Sequence, residues 1–300
     1  MKLNKTNKII WNFKDYLIFF LLIPLVNIII FFLPITLKES LMLNWNSPTI
    51  LNIFISNYLH RDLPHLILNL ICYLIIMFLI FNLETTKKRL YSMLIIGLFA
   101  IPFILFAGIF AGIKILILLK IINKNIPPGL GFSGIVCFFL GYLLFVSYEY
   151  CKTRYYSRLR YHLIYIVLIP NIVLWLIFNN LLNKNIIYLL LITTIVLEVA
   201  LVRSNFNGLK KVYNGILLEI TTKNKQRKIN WYKFIIFILV IAFNLSLTII
   251  IPKEIRVKGI INTPVHFLGY LLGIFIPFIF LSRQNYKTKS KQKNSNINKT

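Results

Sequence analysis

Long apolar runs separated by short polar segments dominate the chain. A helix that spans a bilayer needs about 20 consecutive apolar residues, and several of these runs reach that length. The pattern therefore predicts an all-α fold, a polytopic transmembrane helical bundle. The first run lacks a small-residue cleavage site, so we expect it to remain as a signal anchor. The eight predicted spans cover approximately residues 16–36, 64–83, 91–112, 132–149, 162–179, 186–202, 232–251 and 264–281.

Composition excludes an ordinary soluble domain. The 300 residues are 58% hydrophobic and only 14% charged, and their net charge is +26. The Lys and Arg residues occupy the gaps between apolar runs rather than one basic module with aromatic platforms, so the sequence does not predict nucleic-acid binding. We expect the lipid bilayer as a partner, with anionic lipids near the tail after Ser282. The three cysteines have neither disulfide nor metal-ligand spacing, and no cofactor is predicted.

The basic residues also orient the predicted spans. Cytoplasmic loops carry an excess of Lys and Arg, so we place the N-terminus in the cytoplasm and alternate sides at each span. Most of the 34 basic residues then lie on the cytoplasmic side, including those of a basic loop over 203–233. The sequence thus predicts a multi-pass plasma-membrane protein with both termini cytoplasmic. It has a tail over 1–15, one transmembrane domain over 16–281 and a basic tail over 282–300.

Three sets of polar residues begin spans at the end that this orientation places outside. His65 and Asn69 are four residues apart, which puts them on one helix face. Ser133 begins the fourth span, and His266 begins the eighth, with three spans between them, so these two helices are expected to be parallel. Glycines that allow close helix packing accompany the serine and the histidine; they are Gly131, Gly134, Gly141, Gly269 and Gly273.

This combination of residues is the one that acyl-transfer chemistry requires. A serine with a histidine in reach forms a nucleophile and its general base. Donors for a developing oxyanion are available from an Asn amide, a second His and the backbone N–H of Ser133. Most of the eight acidic residues lie in predicted loops, and Glu198 lies toward the inner end of its span. The sequence therefore predicts a Ser–His dyad rather than a triad.

The motifs resemble those of the rhomboid family of intramembrane serine proteases. The resemblance rests on a His-x-x-x-Asn helix with His60 five residues earlier, on Gly-x-Ser-Gly followed by a Gly-Tyr pair, and on His-x-x-Gly-x-x-x-Gly. Their order, side and spacing agree over roughly 60–280. The resemblance implies Ser133 as nucleophile and His266 as general base, with His65 and Asn69 in the oxyanion hole. It also implies cleavage of transmembrane protein substrates near the outer membrane face, without a cofactor.

The chain departs from the family in several places. Many members have a Tyr one turn after the nucleophile, packed on the catalytic His, whereas this chain has Cys137. The family's Trp-Arg pair in the long first loop is not evident, and Trp45-Asn46 replaces it poorly. That loop, 37–63, is expected to include a piece lying at the membrane interface. The family core has six spans, so two are extra here.

Other interpretations stay open. Taken singly, Ser133 fits a small residue at a helix crossing, His65 with Asn69 fits interhelical hydrogen bonding, and His266 fits a satisfied core histidine. The first alternative function is a catalytically inactive rhomboid-like protein that binds membrane helices. The second is a small transporter, for which we find no clear repeat and only one intramembrane acid, Glu198.

Overall fold

The computed structural model describes residues 9–118, 131–160, 164–178, 184–221 and 264–279, and the regular elements in these ranges are helices. The seventh predicted span, 232–251, and the basic tail over 282–300 lie outside the described residues. In chain order the helices are α1 (Phe13–Phe31), α2 (Ile35–Leu41), α3 (Ile50–Ile55), α4 (Leu63–Leu83), α5 (Lys87–Ile95, Ile96–Ala100 and Ile101–Leu118, continuous), α6 (Ser133–Arg154), α7 (Tyr165–Phe178), α8 (Lys184–Thr221) and α9 (Pro264–Ile279).

Five helices in the described ranges are long and apolar enough to cross a membrane, namely α1, α4, α5, α6 and α8. The shorter helices α7 and α9 coincide with the fifth and eighth predicted spans. The prediction of an all-α, membrane-type bundle is confirmed at this level, and the helices fit a multi-pass membrane protein. The first predicted span ran to residue 36, whereas α1 ends at Phe31. Pro34 then adopts an extended conformation and precedes a separate helix, α2.

Helix α6 occupies the centre of the bundle. Every residue from Gly134 to Tyr150 is buried, although the helix has almost no amphipathic character. A helix that is apolar on all sides is stable only when neighbours or lipid cover it all round, and here α4, α5 and α9 provide most of that cover. Ser133 is the first residue of this central helix, so its position is set by the packing of the whole bundle.

Glycines bring the backbones of α6 and α9 into direct contact. A Cβ added at Gly141 would overlap the carbonyl of Tyr270, and one added at Gly273 would overlap the carbonyl of Phe138. One added at Gly269 would overlap the carbonyl of Gly134. Small residues are the usual means of close helix approach in membranes, where van der Waals contact rather than the hydrophobic effect drives association. The predicted packing function of these glycines agrees with this geometry.

A proline inside α5 connects that helix to the loop before α4. Pro102 has no N–H, so the carbonyl four residues earlier, on Leu98, loses its helical partner, and the preceding turn Ile96–Ala100 widens into a π-helical segment. The hydroxyl of Tyr58 donates to the Leu98 carbonyl at 2.5 Å. Burial raises the pKa of the Tyr58 phenol above its ordinary value, so this group stays protonated and remains a donor.

The loop over 37–63, predicted to include an interface-lying piece, contains helices α2 and α3 and a single 3-10 turn, Ser56–Tyr58. Trp45 is buried and stacks on Phe106 of α5, with ring centroids 5.9 Å apart. Helix α3 also packs on α5. The loop is therefore attached to the bundle along much of its length.

Two buried carboxylates hold together the end of the bundle remote from Ser133. Asp15 of α1 pairs with Lys87 at 2.6 Å and accepts from the Tyr91 hydroxyl. Glu84, which follows α4, accepts from Arg89, the Tyr142 hydroxyl and the N–H groups of the next two residues. We predicted only that the acidic residues lie mostly in loops. The structure shows that Asp15 and Glu84 also connect α1, α4, α5 and α6.

The prediction of a basic loop over 203–233 is wrong for its first part. Residues 203–221 continue α8 without a break, which makes a helix of 38 residues. No proline interrupts this stretch. Its two glycines, which would weaken an isolated helix, lie where the helix packs closely on other residues. A Cβ at Gly208 would lie 3.3 Å from Leu159, and one at Gly215 would lie 2.6 Å from the Tyr155 ring. Residues 222–233 lie outside the described part of the chain.

We predict that Gly273→Ala separates α6 from α9 and destabilises the fold by about 3 kcal/mol, since overpacking a close contact typically costs 1–3 kcal/mol and here the contact is with backbone. The measurement is the thermal unfolding midpoint in detergent. Gly112→Ala is the matched control, because a Cβ there meets nothing within 4 Å and alanine favours a helix. Equal midpoints for the two variants would contradict the close contact.

We predict that Arg89→Met destabilises the protein by about 3–5 kcal/mol, because it leaves the buried Glu84 carboxylate without its cation. Lys88→Met removes the same charge from an exposed neighbouring position and should change stability by less than about 0.5 kcal/mol. Unfolding midpoints in detergent at neutral pH compare the two. A small effect of Arg89→Met would mean that Glu84 is not held as a buried ion pair.

Candidate functional site

The structure brings Ser133 and His266 together. Their side chains meet where α6 and α9 begin, with 2.5 Å between Ser133 Oγ and His266 Nε2. Both side chains are partly exposed, whereas the residues just below Ser133 on its helix are buried. This is the contact that a serine nucleophile and its general base need. The two predicted catalytic residues therefore stand in hydrogen-bond contact although 133 positions separate them in the chain.

Backbone geometry before α6 positions the serine. Gly131 has a φ of 130°, which L side chains rarely adopt, and its N–H donates to the Ser56 carbonyl at 2.9 Å. We predicted a helix-packing function for Gly131, and the structure corrects this, because the residue precedes the helix and lies beside the site. A Cβ there would lie 3.5 Å from Ser133 Oγ and 3.3 Å from His65 Cε1. Glycine thus leaves open the space between those two side chains.

The start of α4 positions His65. Asp62 is the N-cap residue, and its carboxylate accepts the His65 backbone N–H at 2.9 Å. Pro64 follows in the first turn, where a missing N–H has no cost. The signal was present in the sequence as Asp-Leu-Pro before an apolar run. The cap fixes the first turn and directs the His65 imidazole toward Gly131.

Two hydrogen-bond donors near the starts of α6 and α4 have no acceptor among the described residues. The backbone N–H groups of the first helical residues, Ser133 included, have no intrahelical partner. Asn69 is buried, and its Nδ2 finds no acceptor among the described residues. Leaving a buried donor unpaired costs about 1–3 kcal/mol. Such donors, together with His65, can stabilise negative charge that develops on an oxygen next to Ser133.

The imidazole of His266 has no carboxylate partner in the described part of the chain. Its Nδ1 is buried without a hydrogen-bond partner there. A histidine that accepts the serine proton on Nε2 carries its own proton on Nδ1, so the ring must be oriented by packing. The orientation of the ring therefore depends on how firmly α9 is held.

Cys137 and Tyr270 each lie one helical turn after a residue of the Ser133–His266 contact. Cys137, one turn after Ser133, is buried and offers no aromatic ring on which the imidazole could pack. Tyr270 lies one turn after His266 and is buried, and its hydroxyl is within hydrogen-bond reach of Asn171 on α7. Its own carbonyl packs against Gly141. Neither Tyr270 nor Asn171 was predicted, since a Tyr and an Asn inside apolar runs carry no motif.

His60 lies behind His65 and belongs to the same cluster. It is 3% exposed, its Nδ1 is 3.1 Å from the Tyr58 carbonyl, and its ring meets that of His65 edge to face at 5.3 Å. The sequence left open whether His60 belongs to the site. In the structure its ring packs against the ring of His65. Tyr58 is also linked to α5 through Leu98, so this segment connects the site to the bundle.

No group of three or more His, Cys, Asp or Glu side chains in the described ranges is arranged to hold a metal ion. His60 and His65 are in ring contact, and His266 contacts Ser133. What the arrangement can do chemically is transfer a proton from Ser133 to His266 and stabilise an adjacent oxyanion. Both belong to acyl transfer.

We predict that acid destabilises the protein through His60. Burial, with the neighbouring His65, lowers the pKa of His60 to about 4, although Asp62 and the Tyr58 carbonyl act in the opposite direction. The unfolded value is about 6.5, so the unfolded state binds the proton more readily between these values. The free energy of unfolding therefore falls as the pH drops from about 6.5 to about 4, by about 3 kcal/mol.

The measurement is the unfolding midpoint in detergent at pH 4.5 and at pH 7.5 for the wild type and for His60→Phe. The variant should lose this part of the pH dependence, whatever its stability at pH 7.5. Midpoints that fall in parallel for the two proteins would show that His60 does not carry the effect.

No protein-family model matches this chain, and neither a curated protein nor a solved structure matches it. Function is therefore inferred from the residues and geometry of the site itself.

Proposed function

We propose that this protein is an intramembrane serine protease of the rhomboid type, which cleaves transmembrane protein substrates near the outer membrane face. The observation that carries the proposal is the 2.5 Å contact between Ser133 Oγ and His266 Nε2. Ser133 is the nucleophile and His266 the general base. We assign the third requirement of acyl transfer, stabilisation of the oxyanion, to the backbone N–H of Ser133 and to Asn69, whose Nδ2 has no acceptor among the described residues.

In the first half of the reaction, Ser133 Oγ attacks the carbonyl carbon of the scissile peptide bond while its proton moves to His266 Nε2. The carbonyl oxygen becomes an oxyanion, which accepts from the Ser133 N–H and from the side chains of His65 and Asn69. One such donor is worth about 3 kcal/mol in other serine hydrolases. Collapse of the tetrahedral intermediate breaks the C–N bond, and His266 gives its proton to the leaving amine.

The second half repeats these steps with water. His266 takes a proton from a water molecule, whose oxygen attacks the acyl-enzyme carbonyl, and the proton returns to Ser133 Oγ when the ester bond breaks. Partial exposure of Ser133, His65 and His266 supports access of water to this end of the bundle. A substrate helix has its carbonyls in intrahelical bonds, so the segment that is cut must be unwound or extended.

The proposal includes a rhomboid-like core with eight spans, both termini in the cytoplasm and a plasma-membrane location. Its support is that the site residues all lie in the first two turns of α4, α6 and α9. These three helices therefore run in the same direction, as alternation from a cytoplasmic N-terminus requires. Two spans beyond the family core are assigned to the region between the serine and the histidine, which includes α7 and α8.

We predict that a fluorophosphonate probe labels the purified full-length protein and that Ser133→Ala abolishes labelling. Ser147→Ala is the matched control, since Ser147 lies on the same helix and its hydroxyl bonds only the Leu143 carbonyl within the described residues. It should label at the wild-type rate. Equal labelling of Ser133→Ala and the wild type would exclude Ser133 as the nucleophile.

Cleavage of a reconstituted transmembrane substrate provides the second readout. His266→Ala should reduce the cleavage rate at least a thousandfold, because unactivated serine is a weak nucleophile. If substrate binds and co-purifies equally with the wild type, Ser133→Ala and His266→Ala, while the wild type cuts nothing, the protein is an inactive rhomboid-like binder of membrane helices.

A further inference from the structure

One face of α8 is exposed along the whole described length of the helix. In the first half this face is apolar and carries Tyr188, Ile192, Ile195 and Val199, each more than half exposed. At a helical spacing of three and four residues, the same face continues into the second half with Arg203, Phe206, Lys210, Tyr213 and Leu217, all exposed. We call these last five residues the basic-aromatic stripe.

The opposite face of the second half packs on the protein. Asn205 is buried, and Gly208 and Gly215 lie against the turn that follows α6, in contact with Tyr156, Leu159 and Tyr155. Lys211 Nζ lies 4.6 Å from the centre of the Tyr156 ring. This packing fixes the rotation of α8, so the basic-aromatic stripe faces outward.

The exposed cations of this region have no described counter-charge. Arg158 and Arg160, on the turn that α8 contacts, are exposed like Arg203 and Lys210. None of the four forms a salt bridge within the described ranges, where the ion pairs involve other residues. Such a surface attracts anions.

The length of α8 indicates which anion this is. A helix of 38 residues is about 57 Å long, whereas the hydrocarbon core of a bilayer is about 30 Å thick and its headgroup layers bring it to about 40–45 Å. The apolar, uncharged part of the exposed face ends at Val199, and the next residue on that face is Arg203. We infer that the turns from Arg203 onward pass through a headgroup layer. Cations interleaved with exposed aromatic rings are typical of that layer.

We propose that the basic-aromatic stripe, with Arg158 and Arg160, binds the headgroups of anionic phospholipids. The cations neutralise the phosphate groups, while Phe206 and Tyr213 insert their rings between headgroup and acyl chain. A nucleic acid would also meet positive charge here, but it would have to displace lipid from a face that continues directly from a membrane span. The proposal is independent of the protease activity.

The test measures binding of phosphatidylglycerol to the delipidated full-length protein in a zwitterionic detergent, with phosphatidylcholine as the neutral comparison. A cation at the membrane surface contributes about 1 kcal/mol, which is about a fivefold change in affinity. Arg203→Gln/Lys210→Gln should therefore weaken phosphatidylglycerol binding about 25-fold and leave phosphatidylcholine binding unchanged. Arg61→Gln/Lys114→Gln removes two exposed cations elsewhere and should bind as the wild type does.

A second variant tests the aromatic part. Phe206→Ser/Tyr213→Ser keeps all the cations and should still reduce retention of phosphatidylglycerol when the protein is extracted from mixed nanodiscs. All variants change exposed side chains, and circular dichroism with gel filtration confirms their folding. Ser133→Ala should bind lipid as the wild type does, which separates this proposal from the proposed function.

Three results would overturn the proposal. The first is unchanged phosphatidylglycerol affinity in Arg203→Gln/Lys210→Gln, and the second is an equal loss in the control variant. The third is wild-type retention by Phe206→Ser/Tyr213→Ser, which would place the stripe outside the headgroup layer. Binding of a single-stranded oligonucleotide that is lost in Arg203→Gln/Lys210→Gln, with lipid binding unchanged, would assign the surface to nucleic acid instead.

Discussion

Direct contact between the backbones of α6 and α9 is the constraint on which the site depends. Gly141, Gly269 and Gly273 leave room for carbonyl groups of the facing helix, and this fixes both the separation and the axial register of the two helices. A one-residue shift along either axis would move Ser133 Oγ about 1.5 Å relative to the imidazole. Because His266 lacks a described partner for Nδ1, in the proposed mechanism this register would orient the imidazole, as a carboxylate does in a triad.

A second connection supports the other half of the site. Pro102 leaves the Leu98 carbonyl without a helical donor, and the Tyr58 hydroxyl supplies one. The same short segment carries the Ser56 carbonyl that holds Gly131 and the Tyr58 carbonyl that meets His60. A helix irregularity far from the site in sequence thus anchors the loop that positions His65 and the approach to Ser133. In the proposed reaction, pre-organisation of this kind would let donors face an oxyanion without reorganising.

The sequence was sufficient to predict the helical class, most helix positions and the meeting of Ser133 with His266. These rest on strong local signals, namely apolar length, positive charge in the gaps and glycines at helical spacing. The fold of 203–221 was mispredicted because charge and glycine favour a loop locally, whereas packing on Tyr155 and Tyr156 retains the helix. Tyr58, Tyr270 and Asn171 were not predicted, since their partners lie on other helices and no pattern within one segment marks them. The packing function given to Gly131 failed for a similar reason, because its unusual φ depends on the distant Ser56 carbonyl.

The glycine contact between α6 and α9 has a consequence for the temperature response of the protein. In the core of a soluble protein, two packed helices release water from their apolar surfaces. The hydrophobic stabilisation that results weakens on cooling. Inside a bilayer, lipid rather than water covers the helices before they meet, so their association changes hydration little and carries little heat-capacity change. The junction that aligns the serine with the histidine therefore keeps its strength in the cold. Destabilisation in the cold would have to begin in water-exposed parts of the molecule, such as the exposed positions of the loop over 37–63.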